Sequence, residues 1–354
     1  MTVEAAWALT GRPGRPPLLP PDGAVARIRS LGAPIGVDPL AHLAQRALDA
    51  GFMRSGPITC GGAGRLLPAA DGWIAANLAR QDDLDMVPAW LELDGPAPDV
   101  WAAVTSEVAR RGTAETVERA ELLGLPVAAL GEIAAPVDPV RSISLEVDPG
   151  VDRPRVDGPP VVVDLSSLWA GPLCSRLLAD RGARVIKVES TVRPDGARRG
   201  PRAFFERLHA GKELRSFDLR GPELPALLAT ADVVIEGSRP RALRQLGIVA
   251  EEIRPPVWLS ITGYGRASNR VAFGDDAAIG GGLAAWDDEG PCFVADAVAD
   301  PLTGVAAAAA VVAALDAGGR WMIDAAMSGV AAWVAGADRG VLWTPAGPGA
   351  AHRR

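Results

Sequence analysis

At 354 residues the chain is long enough to bury a sizeable core and to hold two structural units. Hydrophobic residues make up 48% and charged residues 22%, an ordinary soluble globular composition, and a net charge of −7 argues against nucleic acid as the general partner. Cys60, Cys174 and Cys292 lie too far apart for a disulfide framework or a zinc pattern, and three histidines argue against a histidine-based metal site. The N-terminus lacks the basic-then-apolar order of a signal peptide. The longest apolar run, 305–315, is too short to span a bilayer. The expectation is a soluble, cytoplasmic protein without membrane or nucleic-acid partners.

Residues 1–60 divide into a Gly-, Pro- and Arg-rich arm over 1–21, expected to be extended, and one or two helices over 24–51 carrying Ile28, Leu31, Leu40, Leu43 and Leu48. Residues 61–135 read as a small α/β unit. A glycine-rich loop and turn over 58–73 leads to a strand over 73–78, helices over 87–93, 100–111 and 114–123, and a strand over 126–130. A proline- and charge-rich linker covers 136–159.

The stretch 160–189 organises the remainder of the chain. Val161, Val162 and Val163 form a short β-branched run of the buried-strand kind, and residues 183–188 form a second. Between them Trp169, Leu173 and Leu177 recur four apart, with Pro172 suited to a first helical turn and Gly182 to the stop. This is a βαβ unit, which places ligands at the carboxyl ends of its strands. Further strands over 231–236 and 257–262, helices over 224–228, 242–247 and 301–315, and a strand over 321–324 extend it into an open, mostly parallel sheet within 160–344. The tail, 345–354, is expected to be disordered.

The first turn, Ser166 to Pro172, lacks the G-x-G-x-x-G of a dinucleotide site. Arg193, Arg198, Arg199, Arg202, Arg207, Lys212, Arg215 and Arg220 crowd one stretch, and Arg239, Arg241 and Arg244 follow the third strand. Clustered guanidinium groups there suit a phosphorylated ligand. They suit equally a solvated surface, since Asp195, Glu206, Glu213 and Asp218 are interleaved. Asp300 before Pro301 reads first as a helix N-cap, although a helix N-terminus also favours a carboxylate in its nucleophilic form. Asp275 and Asp276 read as a loop or capping pair, and His209 as a packing or surface residue.

The segments DLSSLWAGPLCSRLLADRGARVIKVE (164–189), HAGKELRSFDL (209–219), ADVVIEGSRPRALRQLG (231–247), WLSITGYG (258–265) and DAVADPLTGV (296–305) stand in an order and spacing that resembles the family III CoA-transferases, the group of formyl-CoA transferase, carnitine CoA-transferase and α-methylacyl-CoA racemase. The resemblance implies a Rossmann-like large domain that binds CoA, a smaller domain beside it and an interlocked homodimer. It places Asp300 on the catalytic aspartate, Lys212 near a CoA-contacting lysine, and Arg239 and Arg241 in a loop that meets CoA. Leu168 and Ala170 fall in the turn lining the CoA site. Arg193, from the basic stretch, joins these as a CoA-binding candidate. Gln245 stands where formyl-CoA transferase uses an arginine. Gly274, Asp275 and Asp276 stand where the racemases read G-H-D, which removes a histidine acid/base and favours transferase over isomerase.

The expected activity is therefore transfer of CoA from an acyl-CoA to a carboxylic acid through a covalent aspartyl intermediate. Backbone N–H groups near residues 280–282 are candidates for holding oxyanions. CoA thioester enters as substrate, with no metal and no permanently bound cofactor. The rivals are an acyl-CoA racemase or isomerase using Asp275 or Asp276 as base, and a non-catalytic CoA-binding partner subunit. One departure from the family concerns order: the small unit precedes the large domain here, and Gly61 to Gly64 resemble a glycine loop that covers the site in some members.

Overall fold

The computed structural model describes residues 3–145, 158–238, 240–250, 252–253, 255–336, 340 and 343–345. The chain opens with α1 (Val3–Ala6), β1 (Leu18–Leu19), α2 (Asp22–Gly32) and α3 (Gln45–Ala50). Ile28, Leu31, Leu40 and Leu43 are buried as their spacing predicts, whereas Leu48 is exposed.

The small unit is an antiparallel sheet in the order β2 (Gly64–Pro68), β3 (Trp73–Asn77), β4 (Val127–Ala129). Between β3 and β4 come α4 (Gln81–Asp85), α5 (Val87–Leu91), α6 (Val100–Val108) and α7 (Thr113–Leu123). Period-two alternation gives this sheet two apolar faces. Leu67, Ile74 and Val127 pack on Trp90, Val104 and Val117, while Leu66 and Ala75 turn towards Ile279, Ala284 and Phe293 of the large unit. Strand β2 lies inside the span expected to be a glycine-rich loop.

The span expected to be a linker contains β5 (Arg141–Leu145), while residues 146–157 lie outside the described residues. The large unit then runs β6 (Val161–Asp164), α8 (Ala170–Asp180), β7 (Arg184–Ser190), α9 (Arg202–His209), β8 (Glu213–Phe217), α10 (Glu223–Leu228), β9 (Val233–Glu236), α11 (Pro240–Gln245) and β10 (Val257–Thr262). It continues with α12 (Gly274–Gly280), the hairpin β11 (Ala285–Asp287) and β12 (Gly290–Cys292), α13 (Ala299–Ala317), β13 (Arg320–Ala326), α14 (Met327–Ala335) and β14 (Thr344–Pro345).

Its seven strands lie in the order β5-β13-β10-β9-β6-β7-β8, parallel throughout except for β5, which pairs antiparallel with β13. The doubly wound order reverses between β6 and β9, which opens a crevice at the carboxyl ends of those strands. Val162, Val163, Val233, Val234 and Leu259 are buried because both sheet faces are covered. The edges β5 and β8 are largely exposed and carry Arg141, Glu213 and Arg215, charges that discourage further strand pairing.

Helix α13 is apolar almost all round and packs into the core among α8, α2, α14 and the sheet. By length and composition it is the described helix apolar enough to cross a bilayer, but 67% of its apolar window is buried inside the protein. Its crossing with α8 is unusually close. A Cβ on Gly304 would stand 2.6 Å from the Ala170 carbonyl oxygen and 3.1 Å from Leu173 Cβ.

The N-terminal arm is not free. Trp7 is buried edge-on to Trp343, with ring centroids 5.7 Å apart, and Leu18–Leu19 pairs antiparallel with Thr344–Pro345. The Arg12 Nε donates to Asp287 Oδ2 at 2.9 Å, and Arg15 donates to Asp288 and Glu289. Apolar burial and these pairs overcome the extended tendency of a Gly- and Pro-rich sequence. Beyond Pro345 the tail lies outside the described residues.

Because backbone stands on the far side of the α8–α13 crossing, Gly304→Ala should destabilise the protein by about 1–3 kcal/mol. Urea denaturation checks this, and an unchanged midpoint would show that the two helices can part without penalty.

Candidate active site

The first turn of the βαβ unit stands on buried polar supports. Leu168 adopts a left-handed backbone (φ 71°), and its N–H donates to Asp195 Oδ1 at 2.9 Å. Asp195 also accepts from Ala197 N and lies 3.5 Å from the buried Lys187 Nζ, which donates to Ser166 O. Asp164, fully buried at the end of β6, accepts from the Ser166 N–H at 3.0 Å and from the hydroxyls of Ser166 and Ser175.

Lys212 completes this support. Its side chain lies buried beneath the turn. Its Nζ donates to Pro172 O at 2.8 Å and Ser175 Oγ at 2.7 Å, 3.6 Å from Asp164. Burial opposes ionisation of Asp164, but Lys187, Lys212 and the serine hydroxyls hold its carboxyl below the ordinary range. Burial brings Lys212 down to about 8. His209 is a packing residue against Phe205, and burial beside two lysines takes it down to about 3.

The other described CoA candidates follow β6, β7 and β9 along the chain. Leu168 is a large apolar side chain, 41% exposed in the turn after β6, and Ala170 opens α8. Arg193 is exposed and has no ion-pair partner among the described residues, unlike Arg198, which is held by Glu189. That pairing also occupies Glu189. Arg239 lies outside the described residues, and Arg241 belongs to α11, past the carboxyl end of β9.

Asp300 is the second residue of α13 and not its N-cap, a position held by Val298. The backbone N–H groups of Ala170 and Gly274, at the starts of α8 and α12, stand near its carboxylate and favour its ionised form. A Cβ at Gly274 would lie 2.3 Å from Asp300 Oδ2 and 2.4 Å from Ala297 O, which is why glycine stands there. The residue is half-buried. Burial pushes its carboxyl up to about 6, with Arg46 and the two N–H donors restraining the rise.

Two further carboxylates surround it. Asp275 accepts from Ala297 N at 3.0 Å and is pushed up to about 7 by burial and by Asp296. Asp296 is fully buried and held by Arg46, whose Nε donates to Oδ2 at 2.9 Å and whose Nη2 donates to Oδ1. The Cys60 thiol donates to Asp296 Oδ1 at 3.1 Å, which brings the start of the Gly61–Gly64 stretch to the site. Asp276 is a cap, accepting from Phe273 N at 2.9 Å. The glycines at 281 and 282 are not free donors, since their N–H groups bond to Ala277 O and Ile279 O.

Arg46, Cys60 and Asp296 escape sequence reasoning because the residues of each pair lie more than two hundred positions apart. The one local signal is the acidic DAVAD stretch, whose two aspartates bracket a backbone turn. Among the described residues, no group of three or more His, Cys, Asp or Glu side chains is arranged to hold a metal ion.

Fold and site together define a doubly wound α/β protein with a carboxylate set between the starts of two helices. The chain belongs to CoA-transferase family III, whose family model matches residues 160–351. It is 30% identical over 175 residues to succinyl-CoA–D-citramalate CoA-transferase of Chloroflexus aurantiacus, covering 44% of each chain. To succinate–glutarate CoA-transferase of Agrobacterium fabrum it is 32% identical over 181 residues, covering 44% of this chain and 45% of the relative. A CAIB/BAIF family protein from Brucella suis superposes with a TM-score of 0.45 at 29% identity, over 50% of this chain and 55% of that one. The alignments to the two curated relatives thus span less than half of each.

The Lys212–Asp164 pair makes a stability prediction. The folded Asp164 carboxyl lies below its unfolded value, so its contribution is present above the ordinary carboxylate range and lost as pH falls through the folded value. Lys212→Met leaves a buried carboxylate short of a partner and should cost about 3–5 kcal/mol at neutral pH. Melting curves against pH should show the deficit shrinking in acid, and a pH-independent deficit would mean that packing alone is lost.

Proposed function

We propose that this protein moves CoA from an acyl-CoA thioester to a carboxylic acid, with Asp300 as nucleophile. The observation that carries the reading is the setting of that carboxylate: half-buried, on the first turn of α13, with Gly274 packed against it and the starts of α8 and α12 favouring its ionised form. In the first step a carboxylate oxygen attacks the thioester carbonyl and CoA thiolate leaves, giving a mixed anhydride. The thiolate then attacks the aspartyl carbonyl, releasing the donor acid and leaving an aspartyl-CoA thioester. The acceptor carboxylate attacks that thioester, again expelling thiolate, and thiolate attack on the acceptor carbonyl frees Asp300 and the new acyl-CoA. Each step needs an anionic attacker shielded from bulk water.

The Ala170 and Gly274 N–H groups are suited to oxygens that change charge along this path. Leu168 and Ala170 line the CoA path in this reading, with Arg193, Arg239 and Arg241 supplying phosphate contacts. Lys212 acts by holding the turn from beneath. The Chloroflexus and Agrobacterium relatives both carry succinyl-CoA or succinate in their names, which makes succinyl-CoA the first donor to try. The homodimer implied by the family resemblance belongs to the same reading, and sedimentation velocity tests it.

Intact-mass spectrometry after incubation with a panel of acyl-CoAs, with hydroxylamine as trap, should show a covalent adduct on the wild type and none on Asp300→Ala. Since the carboxyl lies near 6 and attacks only as the anion, adduct formation should rise with pH through that value. Absence of an adduct from every donor, with CoA binding intact, would favour the partner-subunit reading. Asp275, a buried carboxyl that titrates near neutrality beside Asp300, keeps an isomerase as the second reading. Wash-in of solvent deuterium at the α-carbon of an acyl-CoA would reveal it.

A further inference from the structure

We infer that Arg46 is a positioning residue for the nucleophile: its guanidinium clamps Asp296 and so fixes the left-handed loop that delivers Asp300 to the start of α13. The inference rests on the reading of Asp300 as nucleophile. Arg46 comes from α3, ahead of the region that matches the family, and lies 250 positions from Asp296 in sequence.

The geometry joins three parts of the chain through one side chain. The guanidinium forks onto both Asp296 oxygens, stands 5.4 Å over the Trp169 ring in the first turn of the βαβ unit, and lies 6.0 Å from the Phe52 ring. Asp296 is flanked by Ala295 (φ 50°) and Ala297 (φ 45°), two non-glycine residues in a backbone region that L residues avoid. Such a loop persists only when its surroundings over-determine it. Here Ala295 N donates to the buried Thr10 hydroxyl at 3.0 Å, Ala297 N donates to Asp275 Oδ1, and Ala297 O accepts the Asp300 N–H at 2.9 Å. The Arg46 fork supplies the remaining hold, on the side chain between the two strained residues.

The same side chain sets the charge. The groups facing Asp300 are Asp296, Asp275 and Arg46; the Cys60 thiol sits on Asp296, and Asp276 is turned away as a cap. Three carboxylates therefore face one guanidinium. Removing it leaves the carboxyls without their cation, so protons are held to higher pH. A lysine keeps the charge but not the two-pronged grip on Asp296.

The test is a carboxyl-carbon NMR titration of the full chain labelled with carbon-13 aspartate, with Asp300→Asn assigning the resonance. It compares wild type, Arg46→Lys, Arg46→Met and the charge-balanced Arg46→Met/Asp296→Asn. The Asp300 midpoint should rise by about one pH unit or more in Arg46→Met. It should rise less in Arg46→Lys and return towards wild type in the double variant. With an acyl-CoA that labels the wild type, adduct formation should slow about tenfold in Arg46→Lys and stay slow in the double variant, where charge is balanced but the clamp is gone. A folded Arg46→Met or Arg46→Lys protein with a wild-type Asp300 midpoint and a wild-type adduct rate would overturn the inference. The titration needs no turnover: a wild type that forms no adduct refutes the nucleophile reading, while the midpoints still decide whether Arg46 governs the carboxyl.

Discussion

The structure depends on how closely α8 and α13 cross. Gly304 lets the backbone of α13 come against the Ala170 carbonyl, and that approach brings the start of α8 close enough to Asp300 to favour its ionised form. The spacing of Asp300 and Gly304 is thus one requirement in two parts: a carboxylate on the first turn of a helix, and the missing side chain one turn later that lets the donor approach. Gly274 repeats the device from α12. A larger residue at either glycine would separate the carboxylate from its donors.

Around that contact the protein gathers more negative charge than burial favours. Burial raises Asp300 and Asp275, and the opposing influences are directed N–H groups and the Arg46 guanidinium. Nearby, beneath the first turn, the opposite balance holds: Asp164 faces two lysines and is driven to ionise. The first turn of the βαβ unit therefore rests on a fixed ion network, while the loop before α13 and the start of α12 gather a responsive carboxylate cluster. The foundation keeps Leu168 in its left-handed conformation, and the cluster takes its geometry from the strained loop around Asp296.

Much of this is legible from residue patterns. Val161 to Val163 and the stripe of Trp169, Leu173 and Leu177 announce buried elements because both faces of the sheet are covered, so composition alone marks them. Strands β5 and β8 escape for the converse reason, whereas β2 is masked by the glycines and prolines that surround its two leucines. RSISL and ELRSF are edge strands with polar, exposed residues, indistinguishable by pattern from loop or linker. Asp300 is reached through its resemblance to a family motif, while its local pattern argues for a cap. Arg46 cannot be found at all, since nothing in QRALDA says which of several surface-type arginines turns inward to meet an acid on a distant loop.

The pairing of β1 with β14 bears on the order of the two units. It brings the first and last described segments into one ribbon, locked by Trp7 against Trp343. Two segments more than three hundred positions apart therefore lie side by side, and their pairing closes the long loop that holds both units. The packing of the small unit on α12 then depends on surfaces in contact and hardly on which unit comes first along the backbone.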